Sequence, residues 1–360
     1  MKKAYISDCE GPISKNDNAF ELTARYVPDG EHFYTVISRY DDVLAEVFKR
    51  PGYKAGDTLK LILPFLRAYG VTDRKMQVFS AKTLVLIPKV KEALWFIRSM
   101  AEAFIVSTSY EHYIRALCRV IEFPFENAYC TRVEIDKYTL KEWERNRLRE
   151  LAAEIAKMPI IEIPTGAKTI DDFPEPHRKA IQRLDEIFWK EIAAMEIGKI
   201  FSEVNPVGGR EKAEAVRQIA EKVGLSLSDV VYVGDSITDV EAFRTVRREG
   251  GLTISFNGNE YAVKEVEITV MADKALVTAV LMEVFCKEGK EGVIKLAEAW
   301  GINTLKGLDI NQQLKNLFWE TYGASLPTVE IVKEANLDRL IKESTNFRKS
   351  VRGEAIGRLG

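Results

Sequence analysis

Ala4-Tyr5-Ile6-Ser7-Asp8-Cys9-Glu10-Gly11-Pro12 opens with a short apolar run and then turns acidic. An uninterrupted apolar run of this length is typical of a parallel strand whose two faces are both covered by helices. Two later stretches have the same form, Ala103-Phe104-Ile105-Val106 before Ser107-Thr108-Ser109, and Val230-Val231-Tyr232-Val233 before Gly234-Asp235. The sequence therefore predicts three buried parallel strands, each of which leads into polar residues.

Helical patterns precede the second and third of these strands. Apolar residues at helical spacing predict one helix over residues 90–100 and another over 211–223. Residues 252–256 and 266–270 are predicted as two further core strands. Because strands and helices alternate, we expect an α/β fold built on a doubly wound parallel sheet.

The predicted core is discontinuous, because long helical stretches lie between its strands. The assigned regions are an α/β core of residues 1–15, 83–130 and 206–285, two helical insertions over 16–82 and 131–205, and a helical C-terminal extension over 286–360. An amphipathic helix over residues 33–48 is expected to bury its apolar stripe within the first insertion. The charged ending, with Arg348, Lys349, Arg352 and Arg358, is interpreted as a solvated tail, since charge runs usually lie on the surface.

The composition excludes several classes of protein. The chain has 360 residues, 46% hydrophobic and 29% charged, so extensive disorder is not expected. Its 52 basic and 54 acidic residues give a net charge of −2, which argues against a nucleic-acid-binding protein. Four scattered cysteines without a CxxC pair predict no zinc site and fit a reducing compartment.

No apolar run approaches the roughly 18 residues of a membrane span, and no signal-peptide pattern is present. We expect a soluble, cytoplasmic protein.

Polar side chains follow the three predicted strands at the edge where ligands bind in an open parallel sheet. Six residues are expected to meet there: Asp8, Glu10, Ser107, Thr108, Asp235 and Asp239. Four carboxylates so close together repel one another, and a hard cation relieves that repulsion. The sequence therefore predicts a Mg²⁺ site, with the four carboxylates as candidate ligands.

In this order the motifs resemble those of the haloacid dehalogenase superfamily of phosphotransferases. Residues 5–12 look like its first motif, an apolar strand ending in D-x-D-G, and residues 105–108 look like its second. Lys212, 22 residues before Gly234, has the placement of the third-motif lysine. Residues 234–239 look like the fourth motif, G-D-S-x-x-D. The resemblance implies the Rossmann-like core of this superfamily, with the two insertions as caps over the site.

The resemblance implies a role for each acidic residue. Asp8 would be the nucleophile and form an aspartyl-phosphate. Asp235 would bind Mg²⁺ together with Asp8 and the backbone carbonyl of Glu10. Asp239 would either bind the metal or act from further away, through water or through Lys212.

The resemblance also implies which groups stabilise the phosphoryl group. Ser107, with Thr108 as the alternative, would donate hydrogen bonds to the phosphoryl oxygens. Lys212 would balance charge in the transition state, and Arg210 is the alternative cation.

Glu10 departs from the superfamily motif, which has an aspartate as general acid and base at this position. Glutamate carries the same carboxyl one methylene further out, so Glu10 is the candidate acid and base here. The alternative is a structural Glu10 in a chain that has lost the ability to hydrolyse phosphate esters.

Two neighbouring residues are expected to have packing or capping roles. Cys9 should point away from the acids by alternation, and His112 lies one turn into the helix after the second strand.

Two functions are consistent with these observations. The leading hypothesis is a Mg²⁺-dependent phosphatase that acts on a small phosphorylated metabolite beneath its caps. The alternative is a catalytically weak or inactive scaffold that serves as an accessory subunit of a larger complex. In that case, the C-terminal helices would bind a protein partner or a second copy of the chain.

Overall fold

The computed structural model of the chain describes residues 2–357 and 359. Its strands span Ala4–Ser7 (β1), Glu102–Tyr110 (β2), Ala128–Thr131 (β3), Val230–Gly234 (β4), Leu252–Phe256 (β5), Ile268–Met271 (β6) and Thr328–Ile331 (β7). They form one sheet in the order β3-β2-β1-β4-β5-β6-β7. All neighbouring pairs are parallel except β6 and β7, which are antiparallel. The predicted doubly wound α/β sheet is confirmed, with one antiparallel edge strand.

β1 lies between β2 and β4, and this placement decides where the site forms. Its last residue, Ser7, is in register with Ile105 of β2 and with Val233 of β4. Parallel neighbours present their carboxyl ends at the same edge of the sheet. The residues that follow Ser7, Ile105 and Val233 therefore meet at that edge.

Helices occupy most of the remaining chain. They span Asn18–Tyr26 (α1), Gly30–Asp42 (α2), Thr58–Ala68 (α3), Asp73–Thr83 (α4), Val90–Met100 (α5), Glu111–Val120 (α6), Glu142–Ile155 (α7), Glu175–Glu186 (α8), Ile200–Glu203 (α9), Arg210–Val223 (α10), Val240–Arg248 (α11), Glu260–Glu265 (α12), Leu276–Glu298 (α13), Ile302–Gly307 (α14), Gln312–Tyr322 (α15), Leu337–Arg352 (α16) and Glu354–Gly357 (α17). Wider π-helical turns extend α2 over Val43–Val47 and α8 over Ile187–Ile192.

Both faces of the sheet are covered. Tyr5 of β1 packs into the larger core cluster with residues of α5, α6 and α13. Its neighbours Ala4 and Ile6 point to the opposite face and pack with residues of α10 and α11. Burial on both faces explains why these strands are continuous apolar runs rather than alternating ones.

The two insertions fold into one helical cap. Their apolar side chains share a single buried cluster that includes the predicted stripe of α2. Phe188, from the second insertion, stacks on Tyr40 of the first with ring centroids 5.8 Å apart. Its ring also meets that of Phe65, again from the first insertion, edge-on at 6.1 Å. The sequence separates the two insertions, but their cores are continuous in space.

The C-terminal region is mainly helical, as predicted, but it belongs to the core packing. The predicted boundary between residues 285 and 286 falls inside α13, whose buried side chains join the larger core cluster. β7 extends the sheet beyond β6, and α16 buries Leu340 against the core side chains Val263 and Met271. Within the described residues, no helix has the length and apolar character needed to cross a lipid bilayer.

Candidate active site

Asp8 is fixed by backbone contacts directly after β1. Its N–H donates to the carbonyl of Val233 at 2.8 Å, and its Oδ1 accepts the N–H of Cys9 at 2.6 Å. The following loop runs against Asp235, because Gly11 has a φ of +115° and a Cβ there would lie 2.1 Å from the Asp235 Oδ2. Only glycine permits this conformation and this approach, so Gly11 lets the loops after β1 and β4 meet.

Lys212 connects two of the predicted site carboxylates. It is fully buried in the first turn of α10, with Nζ 2.7 Å from Asp8 Oδ2 and 2.7 Å from Asp239 Oδ1. Burial by itself would lower the pKa of Lys212, but Asp239 and Asp8 raise it above its ordinary value, so the side chain stays charged. The alternative cation, Arg210, is 80% exposed and pairs with Glu211.

Asp239 is surrounded by hydrogen-bond donors. Its Oδ1 accepts from Lys212 and from the hydroxyl of Tyr232, each at 2.7 Å. Its Oδ2 accepts the backbone N–H groups of Asp235 at 3.0 Å and Ser236 at 3.1 Å. With both oxygens engaged, Asp239 orients Lys212 and the loop that carries Asp235. Tyr232 is a site residue that sequence analysis missed, since it lies within an apolar strand.

Ser107 and Thr108 lie near the end of β2 and line the same cavity as Asp8. The pairing of β2 with β3 loses its regular register between Ser107 and Tyr110. Ser107 Oγ accepts the N–H of Ser109 at 3.2 Å, whereas Thr108 Oγ1 is buried without a protein partner. A buried hydroxyl without a partner is energetically costly, so the Thr108 hydroxyl is well suited to a ligand.

The Glu10 carboxyl lies toward the cap. Its Oε1 accepts the N–H of Asn18, the first residue of α1, at 2.7 Å. Burial, followed by the nearby charge of Asp17, raises the pKa of Glu10 well above its ordinary value. The side chain therefore sits in surroundings that favour the protonated form.

Three carboxylates converge at the edge of the sheet. Oxygens of Asp8, Asp235 and Asp239 all lie within 4.8 Å of one another. The Glu10 carboxyl is not part of this group. Burial raises the pKa of Asp8 to about 7; Lys212 opposes the increase, while Asp239 and Asp235 add to it. Clustered carboxylate oxygens are the donors that a hard divalent cation prefers, so Asp8 and Asp235 fit Mg²⁺.

Two arginines of α16 also contact Asp235. Arg348 donates from Nη1 to the Asp235 Oδ2, and to the Asp235 backbone carbonyl at 3.2 Å. Arg352 donates from Nη1 to the same Oδ2 at 3.1 Å. Their side chains are only 3% and 4% exposed. Both guanidinium groups are therefore part of the site.

The prediction of a solvated C-terminal tail is wrong for these two arginines. Leu340, Ser344 and Arg348 are buried and lie four residues apart, so they share one face of α16, and Arg352 continues that spacing. This spacing is a signal that the sequence does contain, although a charged helix face is usually solvated. Arg358 lies outside the described residues.

Several of these residues, among them Asp8, Glu10 and Asp235, line a cavity of about 90 Å³ between the sheet edge and the cap. Tyr34, Ser38 and Asp41 of α2 form part of the cap wall. Asp41 accepts from the hydroxyl of Tyr53 at 2.6 Å and from the N–H of Gly56 at 2.9 Å. Burial raises its pKa to about 8. The cap therefore supplies a polar wall opposite Asp8.

Cys9 and His112 lie outside the cavity lining. Cys9 is buried, its Sγ is 3.9 Å from the Ser14 hydroxyl, and burial raises the pKa of its thiol well above the ordinary value. His112 places Nε2 2.8 Å from Asp73 Oδ1 and so connects α6 of the core to α4 of the cap. The contacts of both residues therefore fit packing and structural roles.

The chain is similar to the solved structure of gene product AF1437 from Archaeoglobus fulgidus, with a TM-score of 0.81, 28% identity, and coverage of 100% of this chain and 99% of that one. It also overlaps phosphoserine phosphatase in its apo form, at a TM-score of 0.41 and 13% identity over 76% of this chain and 96% of that one. No curated protein matches.

The sequence model of the haloacid dehalogenase-like hydrolases matches residues 87–267, which is half of the chain. The match includes β2, β4 and Lys212, so it covers the elements that surround Asp8 in space. It confirms the resemblance on which the hydrolase prediction was based. This chain is a member of the haloacid dehalogenase-like hydrolases.

Proposed function

We propose that the protein is a Mg²⁺-dependent phosphatase that hydrolyses a small phosphomonoester through an aspartyl-phosphate on Asp8. The observation that carries the proposal is the buried ion chain from Asp8 through Lys212 to Asp239, with 2.7 Å between the charged atoms at both steps. A structural ion pair needs only one carboxylate to neutralise one lysine. Here Lys212 also binds Asp8, a second carboxylate that faces a cavity partly lined by hydroxyl groups.

The reaction would take place in two displacements. A carboxylate oxygen of Asp8 attacks phosphorus, the bond from phosphorus to the ester oxygen breaks, and Glu10 gives its proton to that leaving oxygen. Water then attacks the aspartyl-phosphate while Glu10 accepts a proton from it. The bond between phosphorus and the Asp8 oxygen breaks, which releases phosphate and regenerates Asp8.

The other site residues would stabilise charge on the phosphoryl oxygens. Lys212 supplies a positive charge beside Asp8 that needs no reorientation during the reaction. Ser107 and Thr108 supply hydroxyl donors from the end of β2, and of the two Thr108 has the free hydroxyl. Mg²⁺ bound by Asp8 and Asp235 would neutralise phosphoryl charge and orient the ester.

The small size of the cavity supports a small substrate rather than a phosphorylated protein. Its volume is about 90 Å³, and one wall comes from α2 of the cap. A phosphorylated side chain on a folded protein would need the cap to move far from the core. A soluble phosphorylated metabolite is therefore the substrate class we propose.

The test is phosphate release from a panel of small sugar and carboxylic acid phosphates, with Mg²⁺ and with EDTA. We expect Mg²⁺-dependent turnover in the wild type, loss of turnover in Asp8→Asn, and normal turnover in Asp171→Asn, whose side chain is 84% exposed. Mass spectrometry of acid-quenched wild type should locate a phosphoryl group on Asp8. Turnover that survives in Asp8→Asn would reject the aspartyl-phosphate.

One observation favours the alternative of an inactive scaffold, namely the two arginines on Asp235. A scaffold would release no phosphate from any ester in the panel and would form no phosphoaspartate. It would also be recovered with a stable partner when purified from its own cells.

A further inference from the structure

We propose that Arg348 and Arg352 form a tethered cation pair that competes with the divalent cation for Asp235. Cation binding would then be linked to the docking of α16. This inference deepens the proposed function and rests on it, because it concerns the regulation of the same site.

Both guanidinium groups contact the carboxylate that would bind the metal. Arg348 and Arg352 donate to one oxygen of Asp235, and Arg348 also donates to the Asp235 backbone carbonyl. Hydrogen bonds between a guanidinium and a carboxylate are among the strongest in proteins. Two full positive charges at a single carboxylate reduce the electrostatic gain that a divalent cation would obtain there.

The arginines are built into the fold rather than lying loosely in the cavity. Arg352 also donates from Nε to the Lys15 carbonyl at 3.0 Å, and from Nη2 to the Asn16 carbonyl. These carbonyls belong to the segment that leads from β1 into the cap. One arginine thus contacts the core loop after β4 and the entrance to the cap at the same time.

α16 is attached to the core next to the site. The Ser344 hydroxyl donates to the Gly258 carbonyl at 2.6 Å, one turn before Arg348. The Arg348 Nε is buried without a partner. Burying a guanidinium is unfavourable unless its charge and its donors are compensated, so Arg348 depends on Asp235 for its stability in this position.

The linkage follows from these contacts. A divalent cation on Asp235 would meet like charge from both arginines, so it binds well only when they move away. By reciprocity, cation binding must then weaken the docking of α16 by the same free energy with which docked α16 weakens cation binding. Neither effect is expected if the arginines only orient the Asp235 carboxylate for the metal.

The direct test is isothermal titration of Mg²⁺ into wild type, Arg348→Met and Arg352→Met. Both variants should bind Mg²⁺ at least about tenfold more tightly than wild type, because one repelling charge is gone. Arg348→Lys keeps the charge and should remain close to wild type. Arg339→Met is the matched control on the same helix: its side chain is 47% exposed and pairs with Glu330 and Glu343 away from the site.

A second readout covers variants that fold poorly without a cation. Removing either arginine leaves Asp235 less compensated, so the melting temperature in EDTA should fall. Added Mg²⁺ should raise the melting temperature more in the arginine variants than in wild type, because at equal concentration a ligand that binds the folded state more tightly stabilises it more. In wild type, amide hydrogen exchange within residues 337–352 should become faster when Mg²⁺ is added.

Unchanged or weaker Mg²⁺ binding in both methionine variants would overturn the competition and leave the phosphatase proposal intact. The absence of Mg²⁺ binding in every protein would overturn both proposals, since there would be no cation to displace. Tighter binding without turnover of any ester would support the competition and count against the phosphatase.

Discussion

Lys212 neutralises two buried carboxylates at once, so its removal should affect both stability and catalysis. In Lys212→Met, Asp8 and Asp239 lose their shared cation, and breaking such a buried ion pair costs about 3–5 kcal/mol of unfolding free energy. We expect kcat to fall by about 10²-fold or more, as when a single oxyanion donor is removed. Urea unfolding and phosphate release measure the two effects.

Arg210→Met is the matched control for this change, because Arg210 lies two residues away on the same helix and is exposed. Its effect on unfolding should stay within about 0.5 kcal/mol, as for most surface substitutions. Equal losses in the two variants would contradict the assignment of Lys212.

Glu10→Gln separates proton donation from the hydrogen bond that Glu10 accepts from Asn18. Glutamine still accepts that bond but donates no acidic proton. We expect kcat for an alkyl phosphate to fall by about 10²–10⁴-fold. With nitrophenyl phosphate, which needs little protonation of its leaving group, the variant should release a burst of one equivalent of nitrophenol and then stall.

Glu142→Gln, with a side chain that is 78% exposed, controls for the loss of a carboxylate and should keep wild-type kinetics. Equal losses of the first-turnover rate with both esters, and hence no nitrophenol burst, would mean that Glu10 does not protonate the leaving group.

The candidate site residues that the sequence predicts lie in short local motifs. Asp8 and Asp235 follow apolar strands directly, so their position at the sheet edge follows from the strands alone. Arg348 and Arg352 belong to a helix that reaches the same edge from the far end of the chain. Their helical spacing is visible in the sequence, but nothing local distinguishes a helix face that docks on a carboxylate from a solvated one.

At the scale of elements, α2 places the buried carboxyl group of Asp41 toward the cavity. Burial, with Asp57 nearby, raises the pKa of Asp41 from 3.8 to about 8. Between those values the unfolded chain has lost the proton that the folded chain keeps. The contribution of Asp41 to stability is therefore full below pH 4 and declines as the pH rises to about 8.

Asp41→Asn removes this titration, so the loss of unfolding free energy between pH 5 and pH 8 should be smaller in the variant than in wild type. Urea unfolding at the two pH values measures the difference. Asp171→Asn, which changes an exposed carboxylate, should show the wild-type decline. A decline in Asp41→Asn as steep as that of wild type would contradict a protonated Asp41.

The strands and the helix that the sequence did not predict have weak apolar patterns for a physical reason. β7 alternates polar and apolar residues because it lies at an edge and is only partly covered. β3 is a short strand at the other edge, and α4 buries only Met76 and Ser80. Continuous apolar runs and apolar stripes therefore mark the central strands and the well-packed helices but not these marginal elements.

At the scale of the whole molecule, the two insertions share one apolar core, so we expect them to unfold together. Phe188 packs between Tyr40 and Phe65 across the two insertions. Phe188→Ala should cost about 3–5 kcal/mol. Limited proteolysis should then cut both insertions at the same rate while the α/β core stays protected.

Trp143→Ala is the control, because Trp143 lies in the second insertion with 57% of its surface exposed. It should leave the cleavage pattern unchanged. Cleavage confined to residues 131–205 in Phe188→Ala would show that the insertions fold independently. The two insertions are separate in the sequence, and their union depends on contacts between residues more than 100 positions apart, for which a single sequence gives no signal.

The central place of β1 also affects the order in which the protein can form during synthesis. Its parallel neighbour β4 begins at Val230, 226 residues after Ala4. At about 5–20 residues per second, the ribosome needs on the order of 10 to 45 seconds to make that stretch. For this time the apolar strand that leads into Asp8 has at most one of its two partners. The nascent chain must be protected from premature pairing until its second half has emerged.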